Sequence, residues 1–211
     1  MLVVSDVYTL PDLLARAVNE HPDSDIVVFP NSRTTFTELY ERASKAARSL
    51  KAIGINQGDS VGILMSNCIE FVDLLLGSQL IGAIPVPINA RYKAKELAYV
   101  IDDAGLKVLA TTDRIVEHVD FVKLLQEAFP DLENQADPMR LELSEARNLN
   151  SIVLFGERMP TGMLDTETFE TLSKNIDEEA IEISRSRLQV RDIAMMMYTS
   201  GTTANPKGCP I

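Results

Sequence analysis

The run MMMYTSGTTANPKGCPI, from Met195 to Ile211, gathers the residue types best suited to hold an anion. Thr199, Ser200, Thr202 and Thr203 offer hydroxyl donors, and Gly201 and Gly208 let backbone N–H groups turn into one concavity. Lys207 adds a cation on a long, adjustable stem. The set suits oxygen-rich anions, above all the phosphates of a nucleotide. A cluster of Ser, Thr and Gly also serves as an ordinary flexible turn, so composition leaves both readings open. The order of residues excludes the P-loop signature G-x-x-x-x-G-K-[ST], because Gly208 follows Lys207 and no Ser or Thr succeeds it. Just upstream, Ile193 to Tyr198 is an apolar run that predicts a buried strand feeding the loop, its methionines filling core.

Other chemically capable residues are placed in structural roles. His21 stands at a predicted helix exit before Pro22, and His118 in a mixed helical stretch, which suits surface or capping positions. The pairs Asp102–Asp103 and Glu178–Glu179 are assigned to solvated faces, since adjacent helical positions do not converge on one reacting atom. Cys209 adjoins the loop but nothing marks it as a nucleophile. With Cys68 it makes a pair too sparse and too widely spaced for a disulfide framework or metal set, which predicts reduced thiols in a cytoplasmic protein.

The elements that must carry the loop are written in alternating periods. Thr35 and Glu38 have capping-box spacing, followed by Phe36, Leu39, Tyr40, Ala43, Ala47 and Leu50 at helical intervals before Gly54. A buried strand is expected around Val61 to Met65, then a helix capped by Asn67 with Glu70 and running to about Leu80. GAIPVPI predicts the next strand, AKELAYVIDDAG a helix with Leu97, Val100, Ile101 and Ala104 inward, and LKVLATT a further strand. This alternation predicts an α/β fold of βαβ units around a mostly parallel sheet. Ahead of it, TLPDLLARAVNEHPDSDIVVF predicts a leading helix and an edge strand, and PNSRTTF a hairpin return. Beyond Asp113 the pattern loosens: DFVKLLQEAF and DTETFETLSKN predict helices, NSIVLFG a strand, and the acidic stretch 131–147 a surface loop. No repeat or linker divides the chain.

A formal charge of −11 argues against nucleic acid and anionic membrane surfaces as partners. The first residues lack a basic segment followed by an apolar core, so no secretory signal is expected. The most apolar stretch, Phe71 to Ile88, carries Asp73 and is broken by Gly82, Pro85 and Pro87; helix then strand is the expectation, and no transmembrane segment.

The string YTSGTTANPKG resembles the signature loop of the adenylate-forming enzymes, the superfamily of acyl-CoA synthetases, aryl-CoA ligases, luciferases and nonribosomal adenylation domains. The usual form has Gly where this chain has Ala204, a change that stiffens the loop without removing a donor. GINQGDSVGILMSNCIEFVDLLLGSQLIGAIPVPINARYKAKELAYVIDDAG is similar to an early segment of the same enzymes, and the similarity covers nearly the whole chain. The resemblance is strongest to acyl-CoA synthetases. It implies that residues 1–211 are the N-terminal part of an AMP-binding domain ending just after the phosphate loop, without the C-terminal domain. It implies ATP with Mg²⁺, a carboxylate, a fatty acid by first expectation, and coenzyme A as acyl acceptor. By the same resemblance Thr199, Ser200, Gly201, Thr202, Thr203, Lys207 and Gly208 bind the phosphates, and Lys207 carries the catalytic charge on the departing pyrophosphate. Alone, such a portion is expected to be inactive, with uncovered sheet faces and edges that favour aggregation. A non-catalytic remnant or partner module is the alternative. A dinucleotide-binding oxidoreductase lacks its G-x-G-x-x-G, and oligomeric state is left open.

Overall fold

The computed structural model describes residues 9–115, 117–199 and 205–211. In chain order it has α1 (Leu10–Glu20), β1 (Asp25–Phe29), β2 (Ser32–Thr35), α2 (Phe36–Ala52), β3 (Ser60–Leu64), α3 (Ile69–Leu80), β4 (Ile84–Pro87) and α4 (Ala94–Asp103). There follow β5 (Leu106–Thr112), α5 (Phe121–Ala128), β6 (Ser151–Phe155), β7 (Leu164–Asp165), α6 (Thr166–Leu172), α7 (Glu178–Ser186), β8 (Met196–Thr199) and β9 (Lys207–Pro210). Five strands form one sheet in the order β4-β3-β5-β6-β7, every neighbouring pair parallel. From β3 the chain first steps outward to β4, then returns across β3 to β5, which makes β3/β5 the point where the winding reverses.

The period of two along each strand explains the layering. Val61, Ile63, Val108, Ala110, Val153 and Phe155 face a layer built from α2, α3, α6 and α7. Leu64, Leu106, Leu109, Ile152 and Leu154 face α4, α5 and the segment that follows α5. Both faces are thus covered by described residues, in contrast to the bare faces expected for a partial domain. In α2 the capping box forms as the spacing predicts: the Thr35 hydroxyl accepts from Glu38 N–H, and Glu38 accepts from Thr35 N–H. Gly77 of α3 lets the two helices close up, for a Cβ there would lie 2.8 Å from the Ala43 carbonyl oxygen. Arg42 of α2 pairs with Asp73 of α3 at 2.6 Å across the same contact.

β4 is an edge strand, and its prolines explain why it can be one. Ile84 and Ile88 donate their N–H groups inward to the carbonyls of Asp59 and Ile63. Pro85 and Pro87 fall on the alternate, outward positions, where they have no N–H to offer.

Several expectations need correction. Asn67 does not cap α3; Cys68 stands at the N-cap with extended backbone and no side-chain bond, and Glu70 turns instead to Arg114 at 2.6 Å. β1 and β2 form the expected hairpin, but as a separate two-stranded sheet and not as an edge of the main one. The acidic stretch is more than surface loop. It begins in a 3-10 turn, Pro130–Asn134, and sends Leu132, Leu141, Leu143 and Ala146 into the core while its charged residues face water. α7 gives the helical pair Glu178–Glu179 its place but carries little apolar period of its own, since only Ile181 and Arg185 of its nine residues are buried.

Candidate phosphate-loop hairpin

The end of the chain is an antiparallel hairpin of β8 and β9, with register Met196↔Pro210, Met197↔Cys209, Tyr198↔Gly208 and Thr199↔Lys207. The predicted buried strand is therefore a half-exposed one. Its burial alternates, Met196 and Tyr198 packing on the α4/α5 side of the core while Met197 and Thr199 face out. The reason is its position: β8 lies beside edge strand β4 without joining the sheet, so only one of its faces meets protein.

Three side-chain hydrogen bonds locate this hairpin. Gln79 at the end of α3 donates to the Ala194 carbonyl at 2.8 Å, and Gln57 donates to Asp192 at 3.1 Å, fixing the approach to β8. Tyr198 donates its hydroxyl to Asp103, the last residue of α4, at 2.6 Å. Burial, and then the hydrogen bond to that carboxylate, push the Tyr198 phenol above its ordinary pKa, so it remains a donor. Sequence reasoning gave Tyr198 and Asp103 no part in the site; 95 residues separate them, and no local period connects them.

Of the predicted site residues, Thr199 ends β8 and Lys207 begins β9 directly opposite. This rung, one in from the Tyr198/Gly208 ends of the signature string, holds the two arms of the hairpin one strand spacing apart, roughly 5 Å. Both side chains are exposed, and Lys207 has no ion pair with any other described residue. Its charge is therefore available to an anion. Gly208 lies in β9 opposite Tyr198. Ser200, Gly201, Thr202 and Thr203 lie outside the described residues.

The reversal point of the sheet is the other place where an α/β fold offers a site. Here its polar groups are used internally. Thr111 and Thr112 donate to the carbonyls of Leu64 and Phe155, and Asp113 accepts from the N–H groups of Glu157 and Arg158. Gly156 closes against Asp113, where a Cβ would stand 1.8 Å from the carboxylate. That end of the sheet is knitted shut, and the hairpin is the better candidate.

No group of three or more His, Cys, Asp or Glu among the described residues could hold a metal ion. Among the described residues no helix is long and apolar enough to cross a membrane.

Known proteins resemble this chain over most of its length. Acyl-CoA ligase sidI of Aspergillus fumigatus is 29% identical over 201 residues, which cover 94% of this chain and 32% of the relative. Human mitochondrial medium-chain acyl-CoA ligase ACSF2 is 28% identical over 186 residues, covering 88% of this chain and 30% of the relative. A solved structure of a Mycobacterium tuberculosis fatty acyl CoA synthetase superposes with a TM-score of 0.68 at 25% identity, covering 97% of this chain and 34% of that one. The chain spans about a third of the length of the curated relatives it matches. The family model described as AMP-binding enzyme matches residues 14–211, nearly end to end, and the chain belongs to that family.

Proposed function

We propose that this chain supplies the ATP-phosphate loop and its supporting α/β layer to an adenylate-forming acyl-CoA synthetase. In that reaction a carboxylate oxygen attacks the α-phosphorus of ATP. The bond to pyrophosphate breaks, and the acyl-adenylate formed passes its acyl group to the thiol of coenzyme A. Carboxylate alone is a poor acyl donor because oxide would have to leave; AMP is a far better leaving group. The observation that carries the reading is the signature string spanning a hairpin in which Lys207, unpaired among the described residues, stands opposite Thr199.

In this reading Thr199, Ser200, Thr202 and Thr203 donate hydroxyls to the β- and γ-phosphates, and Gly201 and Gly208 leave room for the backbone to approach. Lys207 stabilises charge on the departing pyrophosphate, an effect that grows as that charge develops. Mg²⁺ arrives with ATP. Residues 1–211 form the N-terminal part of the AMP-binding domain, and the acyl group is a fatty acid. The family names of the relatives support coenzyme A as acceptor. A cytoplasmic location is part of the same proposal.

Calorimetric titration of the chain with ATP–Mg²⁺ tests the reading. Saturable binding competed by pyrophosphate is expected; absence of binding overturns it and favours a non-catalytic remnant. Thioester formation is not expected from these residues alone, since the reading places acyl and thiol recognition elsewhere.

A further inference from the structure

We infer that Asp103 is a positioning residue for the phosphate loop, acting through Tyr198. The inference rests on the phosphate-binding reading and adds to it a residue far away in sequence. The Tyr198/Gly208 rung stands immediately beneath the Thr199/Lys207 rung. A Cβ on Gly208 would meet Tyr198 Cζ and its hydroxyl oxygen at 3.2 Å and the Met196 sulfur at 3.0 Å. The missing side chain therefore lets the phenol lie across the hairpin and reach Asp103 Oδ2 at 2.6 Å. The other carboxylate oxygen, Oδ1, accepts from the Tyr99 hydroxyl one turn back on α4, at 3.1 Å, which fixes the orientation of the carboxylate.

Among the described residues this is the one hydrogen bond from β8 or β9 to another element. Gln79 and Gln57 hold the base of the hairpin, at Ala194 and Asp192, and beyond them the rest of the docking is apolar contact by Met196 and the Tyr198 ring, which is non-directional. A directional bond beside the loop-closing rung converts that contact into a defined position for Lys207. Gly208 thus contributes by what it leaves open to Tyr198 as much as by its own backbone.

The test compares Asp103→Ala, Asp103→Asn and Tyr198→Phe with the unaltered chain by amide hydrogen exchange and ATP–Mg²⁺ titration. Loss of one such bond should speed exchange at Met196–Thr199 and Lys207–Cys209 about 3- to 10-fold, with β5 and β6 unchanged and ATP affinity weakened by a similar factor. Asp103→Ala combined with Tyr198→Phe should do no more than either alone, and Asp103→Asn, which keeps one acceptor, should fall between. Unchanged hairpin exchange, an additive double variant, or loosened exchange with full ATP affinity would each overturn the inference. If the unaltered chain fails to bind ATP, the phosphate reading falls together with the role of Asp103 in it. The exchange data then still decide whether Asp103 holds the hairpin.

Discussion

Strands β5 and β6 and strands β8 and β9 are built from equally apolar or small residues, yet they occupy opposite extremes of burial. Every residue of β6, and all but Lys107 of β5, is buried, whereas β8 alternates and β9 is exposed throughout. The difference lies in neighbours. β5 and β6 have a strand on each side and a helical layer on each face; β8 has one strand, one face and one hydrogen bond to the body of the fold. The first arrangement resists change, and the second leaves side chains and loop ends available to a ligand.

The sharpest way to break this comparison is to truncate both regions alike. Leu109→Ala in β5 removes a fully buried side chain and should cost about 2–5 kcal/mol in urea unfolding. Met197→Ala in β8, where the side chain is 39% exposed, should stay within about 0.5 kcal/mol. Similar losses at both sites would refute the division into scaffold and display. Next in size is Lys207→Ala, expected to weaken ATP–Mg²⁺ binding by about 1.5–3 kcal/mol, roughly 10- to 100-fold, because a charged contact is lost. Its urea midpoint should not move, since Lys207 is exposed and in no ion pair with a described residue; a destabilised variant would mean that the lysine serves the fold.

The smallest effect concerns pH at the scaffold's rim. Asp165 caps α6, and the hydrogen bonds from the Thr168 hydroxyl and N–H hold its carboxyl below the usual aspartate range. A carboxyl depressed on folding adds stability that is fully present above the unfolded pKa of about 3.9 and is lost as pH falls through the folded value. Thr168 N–H should therefore lose exchange protection only below about pH 4, and Asp165→Asn should abolish that dependence while leaving β8 and β9 unaffected. Protection that declines at higher pH would point to another group.

Legibility in sequence follows the same division. Strands β3, β4, β5 and β6 and helices α2, α4 and α5 could be read because each buries one full period of apolar residues, and Thr35 and Glu38 announce the start of α2; β7, two residues long, leaves no period to read. α7 carries little such period, because its buried residues are one isoleucine and one arginine paired with Asp12 and Glu182. The leucines that anchor 130–149 are scattered among charges, so local composition predicts loop while tertiary contact makes core. At the site, the ordered string YTSGTTANPKG identified the loop, but apolarity alone overestimated the burial of the methionines. Whether a four-residue apolar run lies inside depends on what stands beside it, which a local window does not contain. The Asp103–Tyr198 bond is a product of the assembled fold in the same sense.

The prolines of β4 bear on how the chain can be made. A nascent chain that has emerged as far as β5 can already pair β3 with both its neighbours, and at that moment β4 is the border facing other chains on the same polysome. With Pro85 and Pro87 at the outward positions, that border has carbonyls but no N–H groups, so an incoming strand finds only half of a ladder. The two residues forbid a crowded template from extending its sheet into a neighbour, and they do so before any later segment of the chain has arrived to cover it.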